Sequence, residues 1–201
     1  ATLQARAVWL NGILLRWPGV ATGGNFRLYY SATGTIVAAV GALVAGAEGS
    51  LALVASPAAL EPAVAARFGY LGTGVQLAVP EAERPRLSEL HRQQLVLVRE
   101  DAAGRVQAAT AVQPAAALDE IHAAAADLAD LGARVKQGRS EFRVWAPTAR
   151  RVSLCLYDDD AGPARVMLPM QRDAATGSWR AKHAGDLSGR AGAAPQLTLF
   201  D

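Results

Sequence analysis

Between residues 6 and 112 the chain consists of short apolar runs divided by turn signals, and this spacing constrains the fold more than any other feature. Runs of this length between turns are typical of strands in an antiparallel sandwich or barrel. The clearest hairpin is predicted at 94–112, with its turn at Asp101-Ala-Ala-Gly104. We therefore predict a mainly β chain in which residues 1–113 form an antiparallel β-sandwich domain, with a barrel as the alternative. The remaining turn signals are Trp17-Pro-Gly19, Thr22-Gly-Gly-Asn25, Ala32-Thr-Gly34, Gly49-Ser50 and Gly72-Thr-Gly74.

An alanine-rich segment follows and changes the periodicity from that of strands to that of a helix. Its larger apolar residues recur at helical spacing until Gly132 stops the pattern. We predict a helix of about four turns within a connector at 114–135 that joins two β regions. His122 follows Ile121 on this helix, with no metal-ligand spacing around it, and is interpreted as a solvated surface residue.

A second, shorter β region is predicted at 136–190. Alternating apolar residues mark strands at 140–146 and 152–157, and two more follow at 164–168 and 177–181. Cys155, the only cysteine, lies on the second of these strands. An intrachain disulfide and a four-cysteine zinc site are therefore excluded, and we interpret Cys155 as a buried, inert thiol.

Composition narrows the choice of partners. The formal net charge is +2 and the basic residues are scattered, so nucleic acid is not an expected partner. The longest weakly polar stretch, 35–47, is much shorter than the roughly 20 residues that span a bilayer, so no membrane segment is expected. No pattern indicates a metal or another cofactor. Residues 1–6 lack the features of a signal peptide, which leaves both a secreted and a cytoplasmic location open.

Two motifs resemble known modules. Phe142-Arg-Val-Trp-Ala-Pro-Thr-Ala149 and the following Val152-Ser-Leu-Cys-Leu-Tyr157 resemble the opening of the family 48 carbohydrate-binding module, which precedes the catalytic barrel in α-glucan branching and debranching enzymes. Upstream, Ala7-Val-Trp-Leu10, Leu14-Leu-Arg-Trp-Pro18 and Phe26-Arg-Leu-Tyr-Tyr-Ser31 resemble the preceding domain of pullulanases and plant limit dextrinases. The similarity covers roughly residues 6 to 190 and indicates the N-terminal region of a glycoside hydrolase family 13 debranching enzyme.

The resemblance implies a non-catalytic accessory region. Members of this family hydrolyse α-1,6 glucosidic links in a (β/α)8 barrel, and none of the barrel's motif contexts occurs in this sequence, so no residue is assigned a catalytic role. The implied partners are the parent barrel and an α-glucan. Residues 136–190 would form a partial immunoglobulin-like β-sandwich. In the first motif Phe142 and Val144 are expected to fill the core, Trp145 to pack in the core or at a domain interface, and Pro147 to end the strand.

Contact with glucan would require an exposed aromatic ring, because the C–H face of a pyranose stacks on a π surface. Tyr29 and Tyr30 are neighbours on one strand and must point to opposite faces, so at most one of them is outward. The full set of candidates is Trp9, Trp17, Tyr29, Tyr30 and Trp179.

The last segment, 191–201, departs from the family pattern. Gln196-Leu-Thr-Leu-Phe200 resembles the peptide by which bacterial polymerases and repair proteins dock on the sliding clamp. The alternative function is therefore a scaffolding or interaction fragment that binds no sugar and uses this peptide for docking. Since a partial sandwich would leave strand edges unpaired, we also predict self-association or a partner that supplies strands.

Overall fold

The computed structural model describes residues 3–157 and 162–187 and the backbone of 196–200. The chain divides into two compact units, Ala1–Ile121 and His122–Asp201. Strands of the first unit are β1 (Ala5–Trp9), β2 (Leu14–Pro18), β3 (Asn25–Ser31), β4 (Gly49–Ala55), β5 (Gly74–Ala78), β6 (Gln94–Glu100) and β7 (Val106–Gln113). Its helices are α1 (Pro62–Arg67), α2 (Leu87–Leu90) and α3 (Ala115–Ile121), with a 3-10 helix at Glu81–Arg86.

The seven strands of the first unit form one closed barrel in the order β1-β2-β5-β4-β3-β6-β7. Neighbouring strands are antiparallel except β1 and β7, which run parallel and close the sheet. The mainly β fold is confirmed. The predicted sandwich at 1–113 is instead the barrel, because pairing β1 with β7 leaves no free edge between two sheets. The β6–β7 hairpin is confirmed, and Gly104 closes its turn with a φ of 75°.

Alternate strand residues fill the barrel interior, and their neighbours point outward. Large side chains that lie fully inside include Leu15, Leu28, Leu77 and Leu97. Two apolar clusters lie on the outer face, and each is covered by a chain segment. Phe68, at the end of α1, and Ala116 of α3 pack on one cluster, and the segment 32–48 covers the other.

The covering segment 32–48 is held on the barrel by backbone and apolar contacts. Ile36 packs with Val96 and Val98 of β6. The Gly41 amide donates to the Val106 carbonyl at 2.8 Å, and the Val106 amide donates to the Ala42 carbonyl at 2.9 Å. This double tie fixes the segment beside the β6–β7 turn.

The predicted four-turn helix at the end of the first unit is wrong. Helix α3 ends at Ile121, and after His122 the chain forms only a 3-10 helix at Ala123–Asp127. The expectation of a surface His122 is also wrong, because its side chain is 2% exposed and its Nδ1 lies 3.4 Å from the Ala175 carbonyl. The backbone of His122 is not helical, with a φ of −115° and a ψ of 33°. Burying its ring outweighs the helix propensity of the alanines, which is worth at most tenths of a kcal/mol per residue.

The second unit is a sandwich of two sheets. Its strands are β8 (Gly132–Lys136), β9 (Arg139–Trp145), β10 (Arg151–Leu156), β11 (Val166–Pro169), β12 (Gln171–Asp173), β13 (Ser178–Ala184) and β14 (Gln196–Phe200). One sheet has the order β12-β13-β9-β8 and the other β11-β10-β14. Phe142, Leu154 and Trp179 belong to the core cluster of this unit. Cys155 is buried as predicted, with 1% of its surface exposed.

Candidate functional site

Three of the five aromatic candidates lie in the cores. Trp9 and Trp17 are 0% and 3% exposed within the barrel, and Trp179 is 6% exposed in the sandwich. Trp179 donates its Nε1 hydrogen to the Ala146 carbonyl at 3.0 Å, and Trp9 meets His91 edge to face with ring centroids 4.9 Å apart. These three rings present no free face to solvent and are not stacking platforms.

Tyr29 is half-buried on the outer face of the barrel and belongs to a polar cluster. Its hydroxyl donates to Oε1 of Glu100, and the Nε of Arg27 lies 3.6 Å from the other Glu100 oxygen. The Glu100 side chain is 4% exposed and that of Arg27 is 43% exposed. Burial, and then the hydrogen bond and negative charge of Glu100, raise the pKa of Tyr29 to about 12. Tyr29 therefore stays protonated and fixes the Glu100 carboxylate.

Tyr30 points to the opposite face and packs against the barrel core. Nη2 of Arg86 donates to its hydroxyl at 2.9 Å, and the same guanidinium lies 5.4 Å from the ring centroid. A Cβ at Gly49 would lie 2.3 Å from the Tyr30 hydroxyl, so the ring needs a glycine there. The two tyrosines lie on opposite faces, as the alternation predicts, and Tyr29 is the one on the outer surface.

The family motif divides between core and surface. Phe142 lies in the sandwich core and Val144 packs against that core. Pro147 follows the end of β9. Trp145 is 38% exposed within this chain, and its Nε1 donates to the Thr176 carbonyl at 2.9 Å. This hydrogen bond fixes an indole ring that keeps part of its surface open.

Trp145 borders an apolar groove of about 430 Å³ on the sandwich unit. Leu131, 46% exposed, and Met170 line it together with residues of β8 and β9. The sequence-based sugar candidates omitted Trp145. The alternation of 142–145 does place it on the face opposite Phe142, and that signal could have identified it as an outward ring.

Beside Trp145, a polar cluster centred on Arg143 joins β9 to two neighbouring segments. The guanidinium donates to Asp130 at 2.7 Å, to Asp173 at 3.2 Å and to the Ser178 hydroxyl at 2.9 Å. The side chain of Arg143 is only 10% exposed. Its hydrogen bond holds the pKa of Asp130 below the ordinary value. Nη2 of Arg180 lies 3.8 Å from Asp173, so two arginines balance two aspartates and we interpret the cluster as structural.

The end of the chain contributes a strand to the sandwich. The backbone of Gln196–Phe200 pairs antiparallel with β10, so the main chain of the clamp-like peptide is engaged in a sheet. It also covers one edge of β10, which removes that edge as a reason for self-association. Residues 191–195 and 201 of the predicted tail lie outside the described residues.

The described residues contain neither a metal-binding cluster nor a membrane-spanning helix. No group of three or more His, Cys, Asp or Glu side chains in that part of the chain is arranged to hold a metal ion. Among the described helices, none combines the length and apolarity needed to cross a bilayer.

Two family models match the chain in succession. The Pullulanase N2 domain matches residues 4–120, and carbohydrate-binding module 48, the isoamylase N-terminal domain, matches residues 130–192. The first match alone covers more than half of the chain. The second includes both the Trp145 groove and the motif at 142–149.

Characterised relatives agree with these models. A pullulanase from Klebsiella pneumoniae is 32% identical over 188 residues, which are 92% of this chain and 16% of the relative, and one from Klebsiella aerogenes is 26% identical over 190 residues, again 92% and 16%. The chain thus spans about a sixth of the length of these relatives.

Solved structures extend the similarity to the fold. A maltotriose complex of a pullulanase variant from Klebsiella pneumoniae superposes with a TM-score of 0.78 at 31% identity, covering 94% of this chain and 20% of that one. The PulA structure from Klebsiella oxytoca gives 0.76 at 33%, covering 94% and 17%. The chain therefore belongs to the Pullulanase N2 domain family and, with its carbohydrate-binding module 48, corresponds to a non-catalytic N-terminal region of a pullulanase.

Proposed function

We propose that this region supports the catalytic barrel of an α-1,6-glucan debranching hydrolase and extends its glucan-contacting surface. The observation that carries the proposal is the succession of the two matched domains, together with a pullulanase that aligns with 92% of this chain. In this proposal residues 1–113 form the N-terminal β domain, 114–135 the connector, 136–190 the partial carbohydrate-binding module and 191–201 an atypical tail. Bond cleavage belongs to the barrel, and the accessory region contributes stability and binding.

A chimera tests the supporting role. The corresponding region of the Klebsiella pneumoniae pullulanase is replaced by this chain, and debranching of pullulan is compared with that of a variant in which the region is deleted. We expect the chimera to retain activity and thermal stability that the deletion loses, since the chain has the same fold as the part it replaces. A chimera no better than the deletion would contradict the proposal.

The sugar-contact part of the proposal depends on rings that solvent reaches. Tyr29 and Tyr30 are half-buried, and Trp145 is 38% exposed. Three of the solved relatives were crystallised with maltotriose, which identifies a linear α-glucan as a probe. For this chain, α-glucan binding is a proposal.

A calorimetric titration of the full chain with a branched maltooligosaccharide distinguishes a glucan-binding role from a purely scaffolding one. We expect millimolar or tighter binding, and W145A, Y29A and Y30A report which ring is used. The matched control is Y70A. Tyr70 is an aromatic residue that is 75% exposed and lines neither the Trp145 groove nor the cluster of Tyr29 and Glu100. No binding by the unmodified chain would favour the scaffolding alternative.

A further inference from the structure

A polar cleft of about 550 Å³ lies on the outer face of the barrel and is separate from the Trp145 groove. Its volume falls within the usual range of small-molecule pockets, roughly 300–1,000 Å³. Arg27, Tyr29 and Glu100 line it. They are the polar cluster described above.

Apart from Asn25 and Asp101, the remaining walls of the cleft are apolar or small. Leu43, 62% exposed, belongs to the covering segment and faces the β6–β7 turn, where a Cβ on Gly104 would lie 3.7 Å from its side chain. Ala52 pairs directly with Arg27 across β3 and β4, and its side chain is exposed. A ligand can therefore approach the Arg27 guanidinium over a small methyl group.

The charges within the cluster favour an uncharged ligand. The carboxylate of Glu100 is compensated by Arg27, and the Asp101 side chain at the rim accepts hydrogen bonds from the amides of Ala103 and Arg105, both at 2.9 Å. Among the described lining residues an anion finds no unbalanced positive charge, and the one unbalanced negative charge is the Asp101 carboxylate at the rim, which lies outside the cluster. A neutral polar molecule would leave the balance undisturbed.

The hydrogen-bonding groups match vicinal hydroxyls. Glu100 can only accept and Arg27 can only donate, whereas a hydroxyl does both. An ionised carboxylate has about four acceptor positions. The described partners of Glu100 are the Tyr29 hydroxyl and Arg27, and although its side chain is only 4% exposed, it lines the cleft. Tyr29 holds the carboxylate in place, and its raised pKa keeps the hydroxyl a donor. Leu43 and Ala52 supply the apolar contact for C–H groups.

We propose that this cleft is an α-glucan subsite, in which Glu100 and Arg27 bind neighbouring hydroxyls of one glucose unit while Leu43 and Ala52 contact its C–H face. The inference rests on the proposed function for the choice of an α-glucan among neutral polyols. It assigns the barrel domain a binding role in addition to support.

The test uses the full chain, maltotriose as the probe and amide chemical shifts as the readout. Ala52→Trp fills the cleft from an exposed position, and Val54→Trp is its matched control, because Val54 lies two residues along the same strand, is 59% exposed and does not line the cleft. We expect saturable shifts around β3 and the β6–β7 turn that A52W abolishes and V54W preserves. E100Q should weaken binding about tenfold, since a hydrogen bond to a charged group is lost.

The remaining outcomes distinguish the two proposals. If maltotriose binds A52W as well as it binds the unmodified chain, the cleft is not the subsite, although glucan contact elsewhere in the chain stands. If the unmodified chain shows no shifts at millimolar maltotriose, both the subsite and the sugar-contact part of the proposed function fail. The chimera described above still decides the supporting role.

Discussion

The barrel and the sandwich solve the problem of strand edges in different ways. In the barrel, the parallel pairing of β1 with β7 gives every strand a neighbour on both sides. The sandwich keeps two open sheets, and along its edge strand β8 all five residues are exposed. Closure makes the barrel self-sufficient in backbone pairing, whereas we expect the sandwich to depend also on side-chain contacts such as those of Arg143.

Truncating a core leucine in each region should have the largest effect on the unfolding free energy and should show whether the two regions respond differently. Leu97 in the barrel and Leu154 in the sandwich are both 0% exposed. Replacing either by alanine should cost about 2–5 kcal/mol of unfolding free energy, with L97A near the upper end because a closed barrel relaxes less around a cavity. Urea unfolding followed by tryptophan fluorescence measures this cost.

Tryptophan placement supplies the control for that experiment. Trp9 and Trp17 report on the barrel, and Trp145 and Trp179 report on the sandwich. Replacing both tryptophans of one region by phenylalanine leaves the fluorescence of the other region as the only signal. We expect each truncation to shift only the transition of its own region. If both probes move together by the same amount, the two units unfold as one and the comparison fails.

Removing the Arg143 ties should have an intermediate effect confined to the sandwich. R143M keeps the aliphatic stem but loses the hydrogen bonds to Asp130, Asp173 and Ser178, at an expected cost of about 1–3 kcal/mol. The matched control is K182M, which breaks the exposed pair of Lys182 and Glu141 and should destabilise the sandwich clearly less than R143M does. Equal costs would show that the sandwich does not depend on the Arg143 cluster.

The pH dependence of R143M follows from Asp130. Because its pKa is lowered in the folded state, the stability it contributes is fully present above its ordinary value of 3.8 and is lost as the pH falls through the lower folded-state pKa. The difference between R143M and the unmodified chain should therefore shrink below pH 3.8. Urea midpoints measured across the acid range check this expectation.

The smallest expected effect is spectroscopic and concerns the outer face of the barrel. Tyr29 has a pKa raised to about 12, so its contribution to stability is fully present below the ordinary value of 10.0 and is lost as the pH rises through about 12. Replacing Glu100 by glutamine should lower this pKa by removing a negative charge. Tyrosinate absorbance, taken as the difference from Y29F, follows the titration. Y70F should leave the high-pH step unchanged, and an unaltered step in E100Q would contradict the assigned cause.

Local sequence patterns predicted the positions of strands well but predicted poorly which side chains are exposed. The hairpin at 94–112 was predictable because Asp101 and Gly104 specify its turn within the segment itself. The exposure of the aromatic rings was not, since Trp179 and Trp145 lie on adjacent strands of the same sheet. The β9–β13 register pairs Trp179 with Val144 and so places the two rings on opposite faces, of which only one meets the core. His122 failed for the same reason, because its burial involves Ala175, distant in sequence.

The candidate cleft shows the same limit. Arg27 and Tyr29 were visible as polar and aromatic residues of one strand, but Glu100 and Leu43 join them only through the β3–β6 pairing and the folding back of the segment 32–48. Their proximity in space cannot be predicted from their spacing along the chain.

The sequence by itself determined the mainly β class, the turns and the family, because these depend on residue types that lie close together along the chain. Only the tertiary structure decided that the first region closes as a barrel, that His122 ends α3 and that Glu100 meets Arg27. Each of these depends on contacts between residues far apart in sequence. These contacts are stabilised by side-chain burial and strand pairing, which a local sequence pattern does not specify.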